Sequence, residues 1–198
     1  MKGFLMKASY TELPDGYKEI YTVNLQKNKK IALLINIAAL IIAAAMAVPV
    51  AFAIPITSLF DMSEGILPYL LKFAVLAVGS VAYIILHELV HGITMKLFGT
   101  KKIKYGFTGL YAFAGSDDYY AKIPYIVIAL APVVFWGLVL LVLGFIVPQS
   151  WFWVVYIIQI SNISGAAGDF FVTAKFLKMP SDILVKDIGV GMTVYSAK

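Results

Sequence analysis

Leu67-Pro-Tyr-Leu-Leu-Lys-Phe-Ala-Val-Leu-Ala-Val-Gly-Ser-Val-Ala-Tyr-Ile-Ile-Leu86 runs straight into His87-Glu88-Leu89-Val90-His91, and the two stretches together decide how this chain is read. The first is apolar apart from Lys72 and long enough to cross a bilayer as a helix. The second holds both histidines of the chain, four residues apart. On a helix that spacing stacks two imidazoles on one face. They can then share one zinc ion, and the glutamate between them can serve as general base toward zinc-bound water.

Composition points the same way. Of the 198 residues, 61% are hydrophobic and 14% charged, whereas a soluble domain is closer to half apolar and a quarter charged. This is the balance of a membrane protein. No cysteine is present, so disulfides and thiolate metal sites are excluded and any metal must be held by nitrogen and oxygen. The net charge is +5, and all 16 basic residues are lysine. These lysines flank apolar runs and are not gathered on a polar face with aromatics, so the charge reads as membrane topology and no nucleic-acid partner is expected.

Four apolar spans are expected, at 31–54, 66–98, 123–147 and 151–177. Pro49 and Pro55 kink or end the first, and Trp151 and Trp153 mark an interface at the start of the fourth. Between spans two and three, the aromatic and small residues of 99–115 predict a β-hairpin. The fold class is therefore all-α: a membrane-embedded core over 31–178 with a small β-hairpin element. An N-terminal segment, 1–30, precedes it and a tail, 179–198, follows. Tyr17–Leu25 has the content of a short strand or an amphipathic surface helix, and Val190–Tyr195 that of another short strand.

Lys27, Lys29 and Lys30 precede span one, Lys101, Lys102 and Lys104 follow span two, and Lys175 and Lys178 close span four. Asp61, Glu64 and a Pro-Gln-Ser turn lie in the opposite loops. A multi-pass protein of the cell membrane with both termini in the cytoplasm satisfies every cluster. His87–His91 then falls toward the cytoplasmic end of span two. Lys72, near the start of that span, can snorkel and is given no catalytic role.

A catalytic zinc usually has three protein ligands and one open position. With no further histidine and no glutamate after Glu88, only Asp117, Asp118, Asp169, Asp182 and Asp187 are available downstream. Asp169 alone lies within an expected span, where an unpartnered carboxylate is costly. It is the first choice for third ligand and Asp187 the second. Asp117 and Asp118 read as solvated turn residues, and Asp182, after Pro180-Ser181, as a cap.

An HExxH on one membrane helix, an aspartate on a later one and a strand-forming loop between them resemble the site-2 protease family of intramembrane zinc proteases. More narrowly, Leu13-Pro-Asp-Gly-Tyr-Lys-Glu19, His87-Glu-Leu-Val-His-Gly92 and Pro180-Ser-Asp-Ile-Leu-Val-Lys-Asp187 resemble a small prokaryotic family of zincin membrane peptidases. The late site-2 motif has an Asn, then a Pro, then Asp-Gly. This chain has Asn162, Gly165 in place of the proline, Asp169, and Phe170 in place of the glycine, at a spacing one residue shorter.

The resemblance implies one Zn2+ per chain on His87, His91 and Asp169, with Glu88 as the catalytic base. Asn162 would bind the oxyanion or substrate, or else make an inter-helix hydrogen bond. Gly165, Ala166, Ala167 and Gly168 would admit a close helix or a substrate strand, and the 103–113 strands would offer an edge to extended substrate. The expected function is hydrolysis of peptide bonds in membrane-associated polypeptides at or within the bilayer. The alternatives are a non-catalytic scaffold or pseudoprotease, and a metal-binding membrane protein. The oligomeric state is left open.

Overall fold

The computed structural model describes residues 8–109 and 111–197; the first seven residues of the expected N-terminal segment lie outside them. The elements, in chain order, are β1 (Ser9–Tyr10), β2 (Lys18–Asn24), α1 (Lys29–Ala53), α2 (Ile66–Leu97), β3 (Lys104–Phe107), β4 (Ala112–Gly115), β5 (Tyr119–Ala121), α3 (Lys122–Ile146), α4 (Phe152–Gly165), α5 (Ala167–Leu177), β6 (Leu184–Asp187) and β7 (Gly191–Ser196). The chain is mostly helical. Three helices, α1, α2 and α3, are long and apolar enough to cross a membrane.

Two expectations are corrected. The fourth span is not one helix over 151–177. It is broken at Ala166 into α4 and α5, and neither piece alone has the length of a span. The break falls in the run of small residues 165–168, where Ala166 and Ala167 are buried. A Cβ added at Gly165 or Gly168 would meet nothing within 4 Å, so neither glycine is a point of close approach.

The strands are also placed differently. The hairpin between spans two and three exists, as β3 paired antiparallel with β4. The larger sheet, however, has five strands in the order β1-β5-β6-β7-β2. It draws on the N-terminal segment, the loop before α3 and the C-terminal tail, all in antiparallel pairs. These segments are far apart in sequence. Each is a short strand that could not bury its apolar face alone.

The chain divides into two units. The first comprises the chain up to Leu33, Glu88–Ala131 and Asp169 onward. It contains both sheets, and its core packs Met95, Tyr120, Tyr125, Ile128, Phe176, Ile183, Val185 and Val194. The second comprises Leu34–His87 and Pro132–Gly168. Here Trp153 and Val154 of α4 pack with Leu59, and Tyr83 with Leu140 and Ile158. The divisions at His87/Glu88 and Ala131/Pro132 fall inside the continuous helices α2 and α3.

Candidate metal centre

His87, Glu88 and His91 lie on the last turns of α2, and the helix itself fixes their mutual placement. Asp169 enters from the first turn of α5. Ligand atoms of His87, His91 and Asp169 all stand within 4.8 Å of one another. His91 Nε2 is 3.7 Å from Asp169 Oδ1, too long for a hydrogen bond. Two atoms bound to one tetrahedral ion at about 2.0–2.1 Å would stand ~3.4 Å apart, so the observed separation is close to that of a shared ligand pair.

Both imidazoles are held from behind. His91 Nδ1 lies 2.9 Å from the carbonyl oxygen of Ile128. A carbonyl can only accept, so Nδ1 carries a proton, and in the neutral ring Nε2 then keeps its lone pair. That carbonyl is available because Pro132, inside α3, has no N–H to donate four residues back. His87 Nδ1 lies 2.8 Å from the Tyr83 hydroxyl, one helical turn earlier on α2. His87 is buried, and His91 and Asp169 are largely so, at 12% and 23% side-chain exposure.

Glu88 meets the hairpin. Thr108 donates its N–H to the Tyr111 carbonyl at 2.9 Å, which sets the alternation of the β3–β4 ladder. Phe113 and Gly115 turn their backbone groups toward β3, while Ala112 and Ala114 turn theirs outward. The outward N–H of Ala114 donates to the Glu88 carboxylate. Gly92, next to His91, lies against the Tyr105 hydroxyl, and a Cβ there would force that side chain to shift.

A family model described as "putative zincin peptidase" matches residues 80–184, just over half of the chain. The chain belongs to this family. The matched stretch carries Tyr83, the HExxH, the hairpin, Asn162 and Asp169. No curated protein and no solved structure matches the chain. Membership of a zincin family implies zinc, and the donor set fits that ion: two imidazoles and one carboxylate, with no thiolate.

The other candidates are placed as follows. Both oxygens of Asp187 are engaged: Oδ2 accepts from the Tyr125 hydroxyl and Oδ1 from the Gly189 N–H at 2.7 Å. Burial pushes its carboxyl above the ordinary range, against the pull of those two hydrogen bonds. Asp182 accepts from Ser196 Oγ and the Ala197 N–H. Asp117 pairs with Lys104 at the surface, 2.7 Å away, and that lysine lowers its pKa. Lys72 is buried and lies 3.9 Å from Glu64.

Asn162 is fully buried. Its Nδ2 donates to the Val133 carbonyl at 3.1 Å, and its Oδ1 accepts from the Tyr83 hydroxyl at 2.9 Å. These partners lie on α3 and α2, so the side chain makes inter-helix hydrogen bonds. Sequence reasoning missed Tyr83, Ile128 and Ala114. Tyr83 was findable, being four residues before His87 on the same helical face. So was Ile128, four residues before a helical proline. Ala114 was not, because its role depends on ladder register.

Proposed function

We propose that this zincin-family chain is a zinc-dependent peptidase of the site-2-protease type, cutting membrane-associated polypeptides within or at the edge of the bilayer. The observation that carries this reading is the approach of Asp169 to the HExxH helix, which supplies a third ligand where the sequence offers no further histidine. His87, His91 and Asp169 would hold one zinc per chain. Zinc held there would supply Lewis acidity, activating water and polarising the scissile carbonyl. Glu88, held by the Ala114 N–H, acts as general base, accepting the proton of the attacking water and returning it to the leaving amine.

The membrane setting is supported by exposure. α1 buries none of its residues, and Leu40 and Phe52 on it are 71% and 87% exposed. An apolar helix that packs so little against protein is suited to lipid. His87 lies about 32 Å along α2 from Ile66, taking 1.5 Å per residue. That is one hydrocarbon thickness, so the HExxH falls near the far interface.

The five-stranded sheet supports the topology. A sheet cannot be threaded through a bilayer, so β2, β5 and β6 lie on one side. Two crossings, α1 and α2, then separate β2 from β5. Between β5 and β6, α3 makes one crossing and the broken α4–α5 pair the return. Both termini fall on the lysine-rich side, which the positive-inside rule assigns to the cytoplasm.

The test is metal analysis and cleavage of a membrane polypeptide by the purified chain. Wild type should carry zinc near one per chain. Glu88→Gln should keep the zinc and lose cleavage by at least ~100-fold, while Asp169→Ala should bind zinc more weakly. Full activity in Glu88→Gln, or a chain that binds no zinc, would sink this reading.

A further inference from the structure

The second unit contains a hydrogen-bond chain that ends on a metal-site histidine. Its far end is fixed by main-chain carbonyls. Gln159 Nε2 donates to the Gly137 carbonyl at 3.3 Å, which turns Gln159 Oε1 toward Asn162. Asn162 Nδ2 donates to the Val133 carbonyl at 3.1 Å. Both neighbours of this NH2 group are acceptors only, so the amide cannot be flipped, and Oδ1 must be the atom facing Tyr83.

The proton count then runs in one direction. Tyr83 has one hydroxyl proton, and it goes to Asn162 Oδ1 at 2.9 Å. The Tyr83 oxygen therefore meets His87 Nδ1, 2.8 Å away, as an acceptor. Nδ1 must carry the imidazole proton, which leaves Nε2 with the lone pair. Tyr83, His87 and Asn162 are all buried, so water does not readily take the place of any member of the chain.

We propose that Asn162 and Tyr83 are positioning residues that lock His87 in its Nδ1–H tautomer and so present Nε2 to the metal. The zinc consequence rests on the peptidase reading above, whereas the tautomer assignment stands without it. The two histidines are thereby set by different devices: His91 by a carbonyl that Pro132 leaves open, and His87 by an asparagine acting through a tyrosine.

The chain has two histidines, so ring-nitrogen NMR of metal-free, 15N-histidine-labelled protein reads both tautomers at once. At a pH where both rings are neutral, wild-type His87 and His91 should each show a protonated Nδ1 and an unprotonated Nε2. Tyr83→Phe and Asn162→Leu should move the His87 signals toward the other tautomer while those of His91 stay in place, which also reports that the fold is intact. Zinc affinity, measured by competition with a chromophoric chelator, should fall by about 10–100-fold in both variants.

An unprotonated Nδ1 on His87 in the wild type would overturn the proposal. So would His87 signals and zinc affinity unchanged in Tyr83→Phe. If zinc failed to bind the wild type while the tautomer and its dependence on Tyr83 persisted, the peptidase reading would fall and the positioning assignment would stand.

Discussion

His91 Nδ1 hydrogen-bonds, at 2.9 Å, the carbonyl oxygen of Ile128, the residue whose helical partner is removed by Pro132. In an unbroken helix that carbonyl would accept from the N–H four residues on. The proline thus converts a backbone acceptor into an orienting group for a metal-site histidine.

Pro132→Ala should separate metal binding from stability. It restores a competing N–H to the Ile128 carbonyl and removes a proline from a helix interior, where it costs about 3 kcal/mol or more. Zinc affinity, from chelator competition, should drop by up to about tenfold. The thermal midpoint should not fall. Equal losses in both would mean that Pro132 acts through packing alone.

Asp187→Ala should cost stability and not zinc. It strips the Tyr125 hydroxyl and the Gly189 N–H of their acceptors, a loss of about 1–3 kcal/mol in denaturant unfolding. Zinc content should stay at the wild-type level. Zinc lost with stability kept would make Asp187 the third ligand.

The same residue gives a pH dependence. Burial raises its carboxyl above the ordinary 3.8, so the folded chain keeps this proton to higher pH than the unfolded one. The stability it contributes is full below 3.8 and is lost as pH rises through the raised value. Denaturant midpoints across that range should carry a downward component that Asp187→Asn removes.

Single cysteines can map the topology, since the chain has none of its own. Lys18→Cys, Asp117→Cys and Ile188→Cys, all at exposed positions, should react with an impermeant thiol reagent from one side of sealed vesicles. Asp61→Cys, in the loop between α1 and α2, should react from the other. Asp61→Cys labelled together with the other three would remove α1 and α2 as crossings.

The sequence alone determined the parts that depend on local chemistry. Long uncharged runs impose helices wherever water is absent, because the backbone must satisfy its own hydrogen bonds. The i, i+4 spacing of His87 and His91 put two imidazoles on one face, and the scarcity of other donors narrowed the third ligand to a few aspartates. Only the tertiary structure decided the rest. Strands as short as β1 and β5 are stabilised by partners more than a hundred residues away, and no local pattern announces such pairing. The meeting of Ala114 with Glu88 and the engagement of Asp187 by Tyr125 arise the same way. Each depends on contacts between segments that sequence spacing does not bring together.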